Sequence, residues 1–178
     1  MPDKPPSDYF VKPMTTEAID RAFPLIRPVA PALGLDDWRA HCEALAAAAA
    51  AEDREEAITA VNSGGYVKGL CIYVVRGHPH YGRLLDAPVF VVASAADSER
   101  VAAALLAALQ AVSDRRQCSG VRFWTMGAQT WERRFDQREI GRTDHGVFLP
   151  ARADAAAAEA ALAVCMLAAP GLIDRPYP

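Results

Sequence analysis

The sequence predicts an α/β (α+β) domain built on a mixed β-sheet with helices on both faces. Three observations carry that prediction. The hydrophobic period changes along the chain, from helical steps of three and four to strand-like runs and back. Two runs are apolar on both faces, YVKGLCIYVV (66 to 75) from Leu70 onward and VFVV (89 to 92), as central strands buried on two sides are. Helical segments lie before and after these runs, in the order β-α-α-β-β-β-α-β-α-β-α.

The elements follow in turn. YFVK (9 to 12) reads as a short strand. Thr15 or Thr16 caps a helix whose apolar positions are Ile19, Ala22, Phe23 and Ile26, ended by Pro28 and Pro31. Asp36 or Asp37 opens a second helix that runs through Trp38, His41 and Leu45 to about residue 51. EDREE (52 to 56) reads as a solvated connector. AITAV (57 to 61) is a strand, NSGG a hairpin turn with residues suited to positive φ, and 66 to 75 the returning strand. RGHPHYGR (76 to 83) reads as a loop before VFVV.

Asp97 begins the clearest helix, with Val101, Leu105, Ala108, Leu109 and Val112 on one face and an end near Arg115. VRFWTM (121 to 126) is a strand and AQTWERRF (128 to 135) a short helix. Residues 139 to 149 hold a last strand or hairpin. An alanine-rich helix over 153 to 169 stops at Pro170 and Gly171.

The 178 residues are 52% hydrophobic and 23% charged. That composition suits one domain over 1–178, with a core at 9–149 and a helical extension at 150–178, and excludes a disordered chain. Net charge is −3, so no broad basic surface is offered to nucleic acid. Of 19 basic residues only Lys4, Lys12 and Lys68 are lysines; the arginine and alanine excess reads as the codon bias of a GC-rich, bacterial-like genome. The acidic, proline-rich start is no secretory signal, and the longest late apolar stretch, residues 160 to 169, is half a membrane span. The expectation is a cytoplasmic protein, away from membranes, with Cys42, Cys71, Cys118 and Cys165 as reduced thiols.

Three segments resemble the GNAT superfamily of acyl-CoA-dependent N-acyltransferases. YFVKPMTTEAIDRAF resembles its first strand and helix, and ITAVNSGGYVKGLCIY its hairpin, with Gly69 at a usual glycine position. VFVVASAADSERVAAALLAAL (89 to 109) resembles its central strand, phosphate turn and helix without a gap. The resemblance covers about residues 9 to 149. It implies a GNAT-like, largely antiparallel mixed sheet, with the last helix as an addition. It also implies acetyl-CoA or another acyl-CoA as cofactor and an amine on a small molecule or protein as acceptor.

The family's turn carries Arg or Gln, then two glycine-type positions; here those positions hold Asp97, Arg100 and Ala102, and only Ala102 fits. A helix N-terminus presents amide donors and positive potential to a diphosphate. An aspartate there competes for the same donors by capping them. Arg100 either obstructs the phosphate or replaces a close backbone contact with a cation. By the resemblance, Val91, Val92 and Ala93 lend strand backbone to the pantetheine arm, and Ser98, Arg100, Val101 and Ala102 belong to the phosphate turn.

A transferase of this kind must also take a proton from the acceptor amine and protonate the leaving thiolate. The resemblance puts a carboxylate at the opening of the central strand, where Asp86 falls; the alternative is a turn acid before Pro88. It puts the acid on the short helix, where Glu132 replaces the family's tyrosine; the alternative is a surface glutamate paired with nearby arginines. Tyr66, Tyr73 and Tyr81 are substitutes only if a loop folds over the site. His78-Pro79-His80 can chelate a metal only with a third ligand, and otherwise is a solvated loop. Arg133, Arg134, Arg138 and Arg142 alternate with acids, the pattern of an ion-paired face. Trp124 and Trp131 read as core. The rival reading is a GNAT-like binding or regulatory module without catalysis. The apolar residues Leu162, Val164, Met166 and Leu167 allow a third, in which the last helix covers a partner, a homodimer included.

Overall fold

In the computed structural model, which describes residues 9–28, 30–47, 54–93, 97–124 and 146–150, six strands form one sheet. They are β1 (Tyr9–Pro13), β2 (Glu55–Asn62), β3 (Val67–His78), β4 (Gly82–Val92), β5 (Gly120–Trp124) and β6 (Gly146–Pro150), side by side in chain order. Every pairing is antiparallel except β4 with β5. The crossover between those two is α3 (Ser98–Arg115), because a parallel return needs a long connection. Helices α1 (Thr16–Ile26) and α2 (Leu35–Ala47) lie between β1 and β2 in sequence.

The sheet has a core on each face. Val101, Leu105, Leu106, Leu109 and Val112 of α3 pack on Cys71, Tyr73, Val75, Leu85 and Ala87. On the other face Ile19, Ala22, Leu25 and Ile26 of α1 and Trp38 of α2 pack on Leu70 and Ile72. Alternate residues of β3 and β4 feed opposite cores, so both strands read as apolar throughout. Trp38 donates its indole N–H to the Ile19 carbonyl at 2.8 Å, and Arg39 forks onto Asp20 with two 2.8 Å bonds. These hold α2 against α1, which continues through Pro24.

The hairpin between β2 and β3 turns where expected. Gly65 takes φ +77°, and the Asn62 carboxamide oxygen accepts the Tyr66 N–H at 2.9 Å. Two other expectations need correction. Residues 76 to 83 are no open loop: β3 runs through His78 and β4 starts at Gly82, whose φ is +70°. The His78 ring nitrogen accepts the amides of His80 and Tyr81, and the rings of His78 and Tyr81 lie tilted with centroids 4.9 Å apart, which tightens the tip. Nor is EDREE wholly a solvated connector. Glu55 and Glu56 open β2, and the Glu56 carboxylate accepts bonds from Tyr73 at 3.0 Å and Arg116 at 2.8 Å.

Cys42, Cys71 and Cys118 are buried free thiols. Burial pushes the Cys71 thiol up and, aided by the charge of Glu43, the Cys42 thiol up to about 12. No helix of the described residues is long and apolar enough to cross a membrane. The short helix expected at 128 to 135, the helix at 153 to 169, Trp131, Cys165 and the arginine cluster from 133 to 142 lie outside the described residues.

Candidate functional site

Strand β4 changes its geometry at one point. Its pairing with β3 runs His78↔Gly82 to Val74↔Asp86, then resumes one residue out of step at Ile72↔Val89. Tyr73 therefore faces two residues, Ala87 and Pro88, which is a β-bulge. Pairing with β5 ends at the same place, with Ala87↔Phe123 the last pair. Pro88 has no N–H to give a ladder. From Pro88 to Val92 no described residue pairs with β4 on its β5 side. Among the described residues, β4 and β5 thus leave a gap between them there, bordered on the α3 face by the edge-on rings of Phe90 and Phe123, 5.3 Å apart.

Backbone groups bordering this gap follow from the ladder. The Ala93 amide donates to the Lys68 carbonyl at 3.0 Å, so it faces β3. Alternation then turns Val91 to β3 as well, and turns Phe90 and Val92 toward the gap. Of the three strand residues expected to offer backbone, Val92 is placed to do so, while Val91 and Ala93 are committed to β3. Phe90 was missed, because only the register reveals which of two neighbouring valines and phenylalanines faces outward.

At the same end of the sheet α3 begins. Gly69 of β3 makes its approach possible: a Cβ there would lie 2.8 Å from Val101 Cγ1 and 2.9 Å from Leu105 Cδ1. Val101 and Ala102 are fully buried against the sheet, so only their backbone is on offer, and Ser98 is half-buried. Arg100 is about half exposed and its guanidinium lies 3.8 Å from Asp97 Oδ1. The expectation that Asp97 caps the helix fails. Its carbonyl accepts the Val101 amide at 3.0 Å, but its carboxylate makes no cap bond. Instead Asp97 Oδ2 accepts the Tyr9 hydroxyl at 2.9 Å. Residues 94 to 96 of the turn lie outside the described residues.

Asp86 sits on the face of α1 and α2, just before the bulge. It is neither a turn acid nor at the opening of the strand, but the fifth residue of β4 and only 5% exposed. Arg122, its in-register neighbour on β5, grips it with two bonds: Nε to Oδ1 at 2.9 Å and Nη2 to Oδ2 at 3.0 Å. Arg76 of β3 stands 3.9 Å from Oδ2. A carboxylate held by such a fork takes up a proton only by giving up one of its bonds.

The tyrosines divide. Tyr73 is buried, donates to Glu56, and is pushed up by burial and by that carboxylate. Tyr66 is exposed at the end of the sheet where α3 begins, and Tyr81 at the opposite end. Glu132 lies outside the described residues. His78 and His80 are 6.0 Å apart ring to ring, and no group of three or more His, Cys, Asp or Glu among the described residues could hold a metal ion.

No family model and no curated protein matches the chain. Solved structures do. The aminoglycoside N-acetyltransferase AAC(6')-Iy, in complex with CoA, superposes with a TM-score of 0.58 at 17% identity, over 82% of this chain and 95% of that one. A ribosomal-protein-alanine N-acetyltransferase from Brucella melitensis gives 0.53 at 18% identity over 76% and 92%. A transcriptional regulator from Bacillus halodurans gives 0.54 at 14% over 76% and 97%. At these identities the likeness is one of fold. The bulged β4, the parallel β5 that leaves it and the helix between them belong to a mixed sheet whose fold is GNAT-like.

Proposed function

We propose that this protein is an acyl-CoA-dependent N-acyltransferase of GNAT type. The observation that carries the reading is a coincidence of three features at one end of the sheet. They are the gap beside Pro88 to Val92, the outward backbone of Phe90 and Val92, and an α3 N-terminus that the Asp97 carboxylate leaves uncapped. Helix geometry leaves the first amides of α3 without intrahelical acceptors. A diphosphate suits those donors and the positive end of the helix. The extended pantetheine arm suits the gap, adding to β4 as a strand would. The residues present therefore fit the coenzyme, with Ala102 matching the family's turn, although Asp97 and Arg100 depart from it.

In this reading a bound acyl-CoA supplies a thioester carbonyl to the acceptor amine. The chain's own part is to hold the two together and exclude solvent between them. Asp86 is the only buried carboxylate among the described residues and lies on the face of α1 and α2, but its oxygens are engaged by Arg122. We assign it to holding β5 against β4 at the root of the gap. Deprotonation of the amine then falls to another base or to water.

Calorimetric titration with CoA and acetyl-CoA is the test. Saturable micromolar binding is expected, with thioester turnover when amines are supplied. Silence at millimolar ligand would remove the reading. A second reading, a regulatory module without turnover, is favoured by the altered turn and by the regulator among the similar folds. Binding without turnover over a broad panel of amines would select it.

A further inference from the structure

We propose that Tyr9 is a latch, a positioning residue that keeps the Asp97 carboxylate off the mouth of α3 so that the mouth can receive a phosphate-bearing ligand. The inference rests on the coenzyme site proposed above.

Aspartate immediately before a helix ordinarily turns its carboxylate onto the amides of the first turn. Asp97 occupies that position and does otherwise. Its backbone has φ −124° and ψ 20°, away from the extended form usual at a cap. Its carboxylate accepts the Tyr9 hydroxyl at 2.9 Å and lies 3.8 Å from the Arg100 guanidinium. Tyr9 is well placed to hold it. The ring is 7% exposed and packs in the same core as Val101 and Leu105 of α3. A packed ring with two side-chain torsions keeps its hydroxyl where it is. Tyr9 lies on the edge strand β1, 88 residues from Asp97, so the edge strand sets the state of the helix mouth.

A carboxylate on the first-turn amides would occupy the donors that a phosphate needs, and would repel it. The latch removes the competition, and Arg100 offsets the remaining negative charge. Loss of the Tyr9 hydroxyl alone leaves the ring packed and lets the carboxylate turn to the amides. The acid then becomes an inhibitor built into the chain.

The experiment is a double-mutant cycle on the full chain, Tyr9→Phe, Asp97→Ala and both together. Affinity for CoA and for adenosine 3',5'-bisphosphate is measured by calorimetry, and exchange of the Ser98 to Arg100 amides by NMR. Tyr9→Phe is expected to weaken CoA binding roughly tenfold and to slow exchange of those amides. Adding Asp97→Ala to Tyr9→Phe is expected to restore affinity to that of Asp97→Ala alone. A purely structural Tyr9 would give no restoration, and that result, or unchanged affinity and exchange in Tyr9→Phe, overturns the latch. If the native chain binds no CoA, the proposed function fails. The exchange of the amides still decides whether Tyr9 holds Asp97 away.

Discussion

Asp86 and Arg122 meet in register across the one parallel strand pair, joined by two bonds of 2.9 and 3.0 Å, one residue before that pairing ends. Both side chains are largely buried. The pair ties β5 to β4 at the root of the gap. Removing one partner of a buried pair leaves a charge in poor solvent and costs about 3 kcal/mol. Asp86→Ala and Arg122→Ala should each lower the melting temperature by about 5 to 10 °C, and the double variant by less than the sum. An Asp86→Ala protein that melts normally but loses turnover would make Asp86 a base instead.

Gly69 sets how near α3 comes to the sheet. In Gly69→Ala the new methyl would overlap Val101 and Leu105 side chains that are themselves fully packed. A cost of about 1 to 3 kcal/mol is expected, read as a lower urea midpoint with an unchanged slope. CoA affinity should fall with it, because the displaced helix carries the proposed phosphate donors. Normal stability would mean that α3 sits farther out than described.

Arg100 lies beside the proposed phosphate position and near Asp97. Arg100→Ala should weaken CoA about three- to tenfold, with the deficit shrinking at high salt as exposed charges are screened. Tighter binding in Arg100→Ala would identify the arginine as an obstruction.

Alkali should destabilise the fold. Cys42, Cys71 and Tyr73 are all pushed up by burial, Cys42 to about 12. Above the ordinary thiol and phenol ranges, near 8.5 and 10, the unfolded chain releases protons that the folded chain retains. Stability is therefore full below pH 8 and declines as pH rises toward the folded values, by up to about 1.4 kcal/mol per pH unit for each group. Urea midpoints measured from pH 7 to pH 11 should fall, and Tyr73→Phe should flatten the part above pH 10. A midpoint constant to pH 11 would contradict these burials.

Much of the architecture was legible in the order of residues. Leu70 to Val75 is apolar at every position because it feeds two cores, and Val101, Leu105 and Leu109 recur at helical spacing because one face of α3 is buried. Asn62 to Gly65 announced its turn through residues that tolerate positive φ. The hairpin tip at 79 to 81 was hidden, since histidine ring nitrogens accepting amides leave no pattern in the sequence.

The sequence by itself determined the order of the described elements and the presence of an acid at the mouth of α3, since periodicity and turn chemistry are properties of near neighbours. The tertiary structure alone decided that Asp86 finds Arg122, 36 residues on, that β4 bulges at Ala87 and Pro88, and that Tyr9 draws Asp97 aside. Such choices depend on sheet register, which sums contributions from many strands, and a shift of one residue reverses every side chain.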